Sequence, residues 1–155
     1  MAGVDPVAIA LGSNLGDRRR HLQFALERLE AHLSRLRVSS IRETEPFGVP
    51  APQPPYLNAV LVGETTLDPE ELLAELMRIE RARGRQRPSA RAPRTLDLDL
   101  VLFGDRVLST PALTVPHPRF RERRFVLEPL AELAPEWRDP VTGRTIAELV
   151  QDLES

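Results

Sequence analysis

Two aspartates, Asp97 and Asp99, have the spacing that most directly suggests chemistry. They lie in the segment 96–103, where leucines alternate with other residues in the pattern typical of a β-strand. Because residues two apart in a strand project from the same face, the two carboxylates should point the same way, with their Cα atoms about 7 Å apart. The opposite face would be formed by Leu96, Leu98, Leu100 and Leu102.

The charges of this pair indicate a metal site. Two like charges at this distance repel each other unless a cation lies between them. Mg²⁺ prefers oxygen ligands, and it takes one or two carboxylates while water and phosphate fill its other positions. For the motif alone, however, two solvated carboxylates on an open sheet face are the more common arrangement.

An arginine-rich segment immediately precedes the acidic pair. Positions 81–95 contain no acidic residue, and their arginines are Arg81, Arg83, Arg85, Arg87, Arg91 and Arg94. The planar guanidinium group matches phosphate oxygens bidentately. Beside a two-carboxylate platform, such a segment suits transfer from a metal–nucleotide complex, in which two metal ions could clamp the attacking and leaving oxygens. The alternative for these arginines is a solvated helix end that forms a nucleic-acid patch.

The glycine pattern excludes the common nucleotide-binding loops. The chain has neither a P-loop motif nor a G-x-G-x-x-G sequence after a strand. The turn at 12–16 either binds phosphate or, as we expect, supports the site as a tight turn.

Composition predicts one domain that spans residues 1–155. The net charge of −2 argues against general nucleic-acid binding, and the absence of cysteine excludes disulfides and thiolate chemistry. No segment is typical of a membrane span or a secretory signal, so we expect a cytoplasmic protein that does not bind a membrane. The only asparagines are Asn14 and Asn58.

The order of predicted elements indicates the fold class. Strands are expected at 7–11, 37–44, 56–66 and 96–103, with helices from Asp17, from Asp68 to about Gly84, near 121–133 and at 145–153. Five prolines between 46 and 55 predict a long loop. This order suggests an α+β, ferredoxin-like split βαβ sandwich, in which helices pack on a mostly antiparallel sheet. The apolar stripe of the first helix would be Leu22, Leu26, Leu29, Leu33 and Leu36.

Several segments together resemble the 6-hydroxymethyl-7,8-dihydropterin pyrophosphokinase family of folate biosynthesis. The matching segments are A-L-G-S-N-L-G-D (10–17), T-E-P-F-G (44–48), Y-L-N-A (56–59), R-I-E-R-A-R-G-R (78–85), P-R-T-L-D-L-D-L (93–100), T-V-P-H-P-R (114–119) and R-R-F-V-L-E-P-L (123–130). They occur in the family's order from the first strand to the penultimate helix.

The resemblance implies transfer of pyrophosphate from ATP to the pterin hydroxymethyl group. The hydroxymethyl oxygen would attack the β-phosphorus in line, AMP would leave, and no phospho-enzyme would form. Asp97 and Asp99 would bind two Mg²⁺ ions, and together with Arg85 and Arg94 they are the implied catalytic residues. The implied partners are the two small-molecule substrates, with no nucleic acid, and we expect a monomer.

The resemblance also implies two groups of binding residues. Those for the pterin are Thr44, Pro46, Phe47, Tyr56, Asn58, Asp97 and Phe125. Those for the nucleotide are Glu80, Arg85, Arg87, Arg94, Leu100, Thr114, His117 and Arg123. By sequence alone Phe125 is equally suited to the core, and His117 between two prolines is equally suited to a structural role.

Two departures from the family pattern stand out. The segment 91–95 lacks the aromatic residue that is frequent there, and proline follows His117 where an aromatic residue is common. A different class of function also fits the expected sheet, namely a non-catalytic ferredoxin-like module that binds a nucleotide or RNA. RNA binding by such a sheet needs exposed aromatic residues on its central strands.

Overall fold

A β-strand with large side chains on one face and small ones on the other lies at the centre of the molecule. The computed structural model describes residues 3–44, 55–84 and 95–154. Strand β1 (Asp5–Ser13) pairs antiparallel with β4 (Tyr56–Thr65) on one side and with β5 (Asp97–Phe103) on the other. The outer strands β2 (Ser34–Val38) and β3 (Arg42–Thr44) both pair with β4.

The strand order confirms the α+β class and the split βαβ arrangement. In the described residues the main sheet runs β2-β4-β1-β5. Strands β1 and β2 are both antiparallel to β4, so they run parallel to each other with β4 inserted between them. Helix α1 (Arg18–Leu29) connects β1 to β2, and α2 (Pro69–Ala82) connects β4 to β5.

Helices cover both faces of the sheet. On one face, α1 and α2 bury Leu22, Leu29, Leu72 and Leu76 against the odd-numbered residues of β1. On the other face lie α3 (Arg124–Leu133) and α4 (Ile146–Glu154), preceded by a short 3₁₀ turn at Phe120–Glu122. A small hairpin of β6 (Leu108–Ser109) and β7 (Thr114–Val115) leads from β5 to that turn.

Helix α2 begins and ends at the signals expected from the sequence. The Asp68 side chain accepts the Glu71 backbone N–H at 2.8 Å, and the Glu71 carboxylate accepts the Asp68 N–H at 3.0 Å. After the helix, Gly84 has a φ of +76°, a conformation that glycine adopts without strain. The position of Arg83, directly before this glycine, is therefore well defined.

Three sequence expectations about element boundaries are wrong. Helix α1 ends at Leu29, so Leu33 and Leu36 lie outside it, and Leu36 belongs to β2 because the free edge of β4 takes residues 34–38 as its partner. The expected single strand at 37–44 is two strands, β2 and β3. Strand β1 continues to Ser13, so Gly12 lies inside the sheet and not in the turn.

The leucine face expected for β5 is also only partly correct. Leu98 and Leu100 pack in the α1/α2 core, but Leu102 packs on the opposite face with α3 and α4. The register between β1 and β5 shifts after the Ile9–Leu100 pair, where Val101 is the extra residue. An extra residue reverses the side-chain alternation that follows it, and no residue pattern marked it.

None of the helices in the described parts of the chain has the length and apolarity needed to cross a membrane.

The packing of α2 predicts the effect of truncating its buried face. Leu76 is 1% exposed in the α1/α2 core, whereas its neighbour Met77 is 42% exposed. We expect Leu76→Ala to lower the free energy of unfolding by about 2–5 kcal/mol, because it leaves a cavity. Met77→Ala is the control and should change it by no more than about 0.5 kcal/mol. Urea denaturation of both variants measures this, and equal losses would contradict the assigned packing.

Candidate active site

The floor of the candidate site is the small-residue face of β1. On the α1/α2 side β1 carries Val7, Ile9 and Leu11, and on the α3/α4 side it carries Ala8, Ala10 and Gly12. Phe120, Val126 and Leu127 pack over the Ala8 end of that second side. We take the small-residue surface of β1 from Ala10 to Gly12, between β4 and β5, as the floor of the site and call it the depression.

Backbone register brings the predicted polar residues to this depression. Gly12 pairs with Asn58 of β4 on one side and with Asp97 of β5 on the other. One pair further along, Ala10 lies opposite Asp99. Directly paired residues project from the same face of an antiparallel sheet. Asn58, Asp97 and Asp99 therefore share one face, as the spacing of the aspartates predicts.

Gly12 has little room for a side chain because its neighbours come close. A Cβ atom there would lie 3.3 Å from Asn58 Oδ1 and 3.7 Å from Tyr56 Cδ1. Asn58 is 7% exposed, and its amide Nδ2 donates a hydrogen bond to the Thr44 hydroxyl. The Asn58 amide is thus fixed in direction, with Oδ1 over Gly12. Sequence reasoning quoted Gly12 within a motif but assigned it to a turn, so this role was missed.

Glu80, expected from the resemblance at a nucleotide ribose, supports the strand that carries the acidic pair. It lies in the last part of α2, is 3% exposed, and accepts the Leu98 backbone N–H at 2.7 Å. Leu98 lies between the two aspartates, at the edge of β5 that faces away from β1. The contact occupies a strand-edge donor that would otherwise be buried without a partner. The ribose contact stays a prediction.

The same edge of β5 also includes the backbone of Leu100. Its side chain is buried in the α1/α2 core. Amides two residues apart in an antiparallel strand point to the same edge, so the Leu100 backbone faces the same way as that of Leu98. A nucleotide contact by Leu100 would fall to its backbone and not to its side chain.

The segment before the 3₁₀ turn places His117 near the acidic pair. The His117 backbone N–H donates to the Val101 carbonyl at 2.9 Å, and its Nδ1 accepts the Arg119 backbone N–H at 3.2 Å. Burial, followed by the positive charge of Arg123, lowers the pKa of His117 to about 4, against the opposing charge of Asp97. At neutral pH the ring is therefore uncharged and carries its proton on Nε2.

Of the two predicted aromatic residues, Tyr56 lies beside Gly12 and Phe125 lies on a different element. Tyr56 is half-buried at the start of β4 and pairs with Thr44. Phe125 is 38% exposed near the start of α3, with the Arg123 guanidinium 5.6 Å from its ring centroid. This exposure excludes the core role that the sequence left open for Phe125.

The remaining predicted residues divide into two sets. Thr114 is exposed and pairs with Ser109 in the β6–β7 hairpin. Five expected site residues lie outside the described residues, namely Pro46, Phe47, Arg85, Arg87 and Arg94.

The donor chemistry of the face fits a magnesium ion that also binds phosphate. Among the described residues there is no group of three or more His, Cys, Asp or Glu side chains able to hold a metal alone. Two carboxylates on one strand face are, however, the protein ligand set that Mg²⁺ uses when phosphate and water complete its shell. Asp97 and Asp99 are the residues that would hold it.

Comparison with known proteins identifies a family. Residues 8–135 match the family model of 7,8-dihydro-6-hydroxymethylpterin-pyrophosphokinase (HPPK). A Synechocystis protein named 2-amino-4-hydroxy-6-hydroxymethyldihydropteridine pyrophosphokinase is 43% identical over 148 residues, which cover 94% of this chain and 75% of the relative. A Pseudomonas aeruginosa protein of the same name is 44% identical over 95% of this chain and 91% of its own length.

A solved structure with a similar fold belongs to a longer protein. The Plasmodium falciparum HPPK-DHPS crystal structure has a TM-score of 0.78 and 16% sequence identity. The match covers 98% of this chain and 46% of the Plasmodium chain. At this identity the likeness supports the fold alone.

His117 gives the folded protein a pH-dependent stability. Because its folded pKa of about 4 lies below the unfolded value of 6.5, the unfolded chain binds the proton first as pH falls. The contribution of His117 is therefore fully present above about pH 6.5 and is lost progressively toward about pH 4. Urea denaturation across this range should show a steeper fall for the wild type than for His117→Asn. Identical slopes would refute the buried neutral imidazole.

Proposed function

The chain belongs to the 7,8-dihydro-6-hydroxymethylpterin-pyrophosphokinase family, and we propose that it transfers pyrophosphate from ATP to 6-hydroxymethyl-7,8-dihydropterin. The products are AMP and the pterin pyrophosphate, an intermediate of folate biosynthesis. The observation that carries the proposal is the row formed by Asn58, Gly12 and Asp97 on adjacent strands. It places a fixed amide, a space for a flat ring and a carboxylate side by side.

The pterin ring occupies the depression over Gly12. Asn58 and Thr44 hydrogen-bond the amide-like edge of the ring, and their mutual hydrogen bond holds both in place before the substrate arrives. Tyr56 and Phe125 provide aromatic surface on the two sides, with the exposed ring of Phe125 stacking on the pterin. Asp97, across Gly12 from Asn58, contacts the ring from the strand that also carries the metal ligand Asp99.

Asp97 and Asp99 would hold two Mg²⁺ ions, with the phosphates of ATP as further ligands. When bound, the metal neutralises phosphate charge and orients the oxygens that enter and leave. Glu80 contributes by holding the Leu98 peptide between the two aspartates, which fixes the direction of both carboxylates. Its expected contact with the ribose, from the same end of α2, belongs to this proposal.

The nucleotide lies along the outer edge of β5. The Leu100 backbone and the uncharged His117 ring offer neutral hydrogen-bonding groups on the adenine side, while Thr114 and Arg123 lie toward the sugar and phosphates. Arg85, Arg87 and Arg94 neutralise phosphate charge during transfer and product release. In this arrangement the pterin and the nucleotide lie on opposite sides of β5, the strand that carries the acidic pair.

The chemical step is an in-line displacement at phosphorus. The hydroxymethyl oxygen of the pterin forms a bond to the β-phosphorus, and the bond from that phosphorus to the oxygen retained by AMP breaks. The residues named above contribute by holding the oxygen and the phosphorus in line and by excluding water, not by forming a covalent intermediate. This role needs a rigid floor, which the paired strands β4, β1 and β5 provide.

The RNA-binding alternative lacks the surface it requires. Aromatic residues on the described strands are Tyr56 and Phe103, and Phe103 is fully buried. A single half-buried tyrosine does not make the stacking platform that RNA-binding sheets of this type use.

The acidic pair provides the direct test of the proposed activity. We expect Asp97→Asn and Asp99→Asn each to lower turnover at least about a hundred-fold, because each removes a metal ligand. Formation of AMP and the pterin pyrophosphate is followed by phosphorus NMR, and circular dichroism checks that the variants fold. Asp105→Asn, at an exposed turn after β5, is the matched control and should be fully active. Full activity of either site variant would refute the metal assignment.

Gly12 provides a test of the pterin position. In Gly12→Ala the new methyl group would press on Asn58 Oδ1, so we expect pterin affinity to fall roughly tenfold through loss of the aligned hydrogen bond, with nucleotide affinity unchanged. Titration calorimetry with each ligand measures both affinities. Gly3→Ala is the control, since a Cβ there meets no atom within 4 Å. Unchanged pterin affinity in Gly12→Ala would place the ring elsewhere.

A further inference from the structure

A histidine outside the site described above connects two segments that flank it. His21 lies in α1, and its Nδ1 accepts hydrogen bonds from the Arg83 guanidinium, at 3.0 Å from Nε and 2.8 Å from Nη2. Arg83 is the last residue before Gly84 at the end of α2. The arginine-rich segment 85–94 follows directly in the sequence.

The other nitrogen of the ring faces the turn after β1. The imidazole hydrogen-bonds the Leu15 backbone, and a Cβ at Gly16 would lie 3.1 Å from His21 Nε2. Since Nδ1 accepts from Arg83, Nε2 carries the proton and donates to the Leu15 carbonyl. Both ring nitrogens are therefore satisfied in one tautomer of the neutral ring. Leu15 lies three residues beyond Gly12, the glycine opposite Asp97.

Arg83 is held in place independently of the histidine. Its guanidinium lies 4.7 Å from the ring centroid of Phe24, which packs against the α1/α2 core. Arg28 also lies over this ring, at 4.9 Å from its centroid. Both Arg83 donors therefore point to one acceptor, Nδ1 of His21. Because Arg28 contacts the same aromatic ring, its substitution serves as a matched control.

Protonation of the imidazole would break this connection. Burial and the positive charge of Arg83 lower the pKa of His21, while Asp17 at the start of α1 and the Leu15 hydrogen bond oppose the shift. At neutral pH the ring is uncharged. In acid, Nδ1 gains a proton, loses its capacity to accept, and presents a cation to Arg83.

We propose that His21 and Arg83 are positioning residues of the transfer reaction, which fix the end of α2 relative to the turn at residues 14–17. The inference rests on the proposed function, because segment 85–94 carries the arginines assigned there to the phosphates. Through the link, the point at which that segment leaves α2 is set relative to the strand end that pairs with Asp97. Loss of the link frees the described end of α2, from which that segment starts, and leaves the pterin depression intact.

The test compares three variants with the wild-type enzyme. His21→Phe removes both hydrogen bonds, whereas His21→Asn keeps an acceptor for Arg83 that does not titrate. Arg28→Gln removes a cation from Phe24 without touching the link. Turnover and both KM values are measured for each, across about pH 7 to about pH 5.5, below the ordinary histidine pKa of about 6.5.

We expect His21→Phe to lower kcat by about three- to tenfold, with the pterin KM within about twofold of wild type. His21→Asn should recover most of the loss, and Arg28→Gln should behave as wild type. The ratio of wild-type turnover to His21→Asn turnover should decrease as the pH is lowered. A wild-type kcat in His21→Phe, or a constant ratio across pH, would overturn the proposal. If His21→Phe does not fold, Arg83→Gln replaces it with the same expected and contradicting results.

A second readout separates this inference from the proposed function. The chain has three histidines, so nitrogen NMR resolves His21 and reports its tautomer without any substrate. We expect an Nε2-protonated ring whose pKa rises in Arg83→Gln. A ring protonated on Nδ1, or a titration unmoved by Arg83→Gln, would refute the link even in a fully active enzyme. Failure of the proposed function would appear instead as wild-type protein that forms no AMP.

Discussion

The pairing register of β1 is the constraint on which the rest of the structure depends. This strand lies between β4 and β5, and the alternation of its residues assigns large side chains to one face and small ones to the other. A shift of one residue would exchange the two faces of β1 and place Ile9 and Leu11 beside the aspartates, so the apolar core fixes the register strongly. The same pairing that stabilises the core therefore aligns Asn58, Gly12 and Asp97. The core and the site therefore depend on the same strand pairing.

Strand β5 depends on contacts from both sides to hold its aspartates. On its inner side the main-chain bonds with β1 fix Asp97 and Asp99 opposite Gly12 and Ala10. Its outer edge has no neighbouring strand in the main sheet of the described residues. Instead, the Glu80 carboxylate accepts the Leu98 N–H, and the His117 N–H donates to the Val101 carbonyl. The carboxylates thus project from a strand that is held by hydrogen bonds at both edges. This rigidity suits chemistry in which alignment and charge neutralisation, and not covalent catalysis, lower the barrier.

The sequence predicted the fold class and the shared face of Asp97 and Asp99 because these depend on periodicity. The period-two placement of Asp97 and Asp99, the capping residues of α2 and the position of β4 follow from local patterns and are confirmed. Leu102 was assigned to the wrong face because a bulge inserts one residue, a consequence of strand pairing that no local pattern records. For a similar reason Gly12 was assigned only to a supporting turn and His21 was given no role. Their importance lies in neighbours distant in sequence, Asn58 and Arg83, which only the folded chain brings close. Phe125 could not be assigned to core or surface until α3 was placed over the sheet.

We propose that the acidic pair binds nucleotide through metal and that the bound nucleotide prepares the adjoining pterin depression. This is tested by titration calorimetry of the wild-type protein with a non-hydrolysable ATP analogue, with and without Mg²⁺, followed by pterin in each case. We expect the nucleotide to bind tightly only with Mg²⁺, because two uncompensated carboxylates repel phosphate, and the pterin to bind tightly only afterwards. Equal nucleotide affinity with and without Mg²⁺ would contradict it.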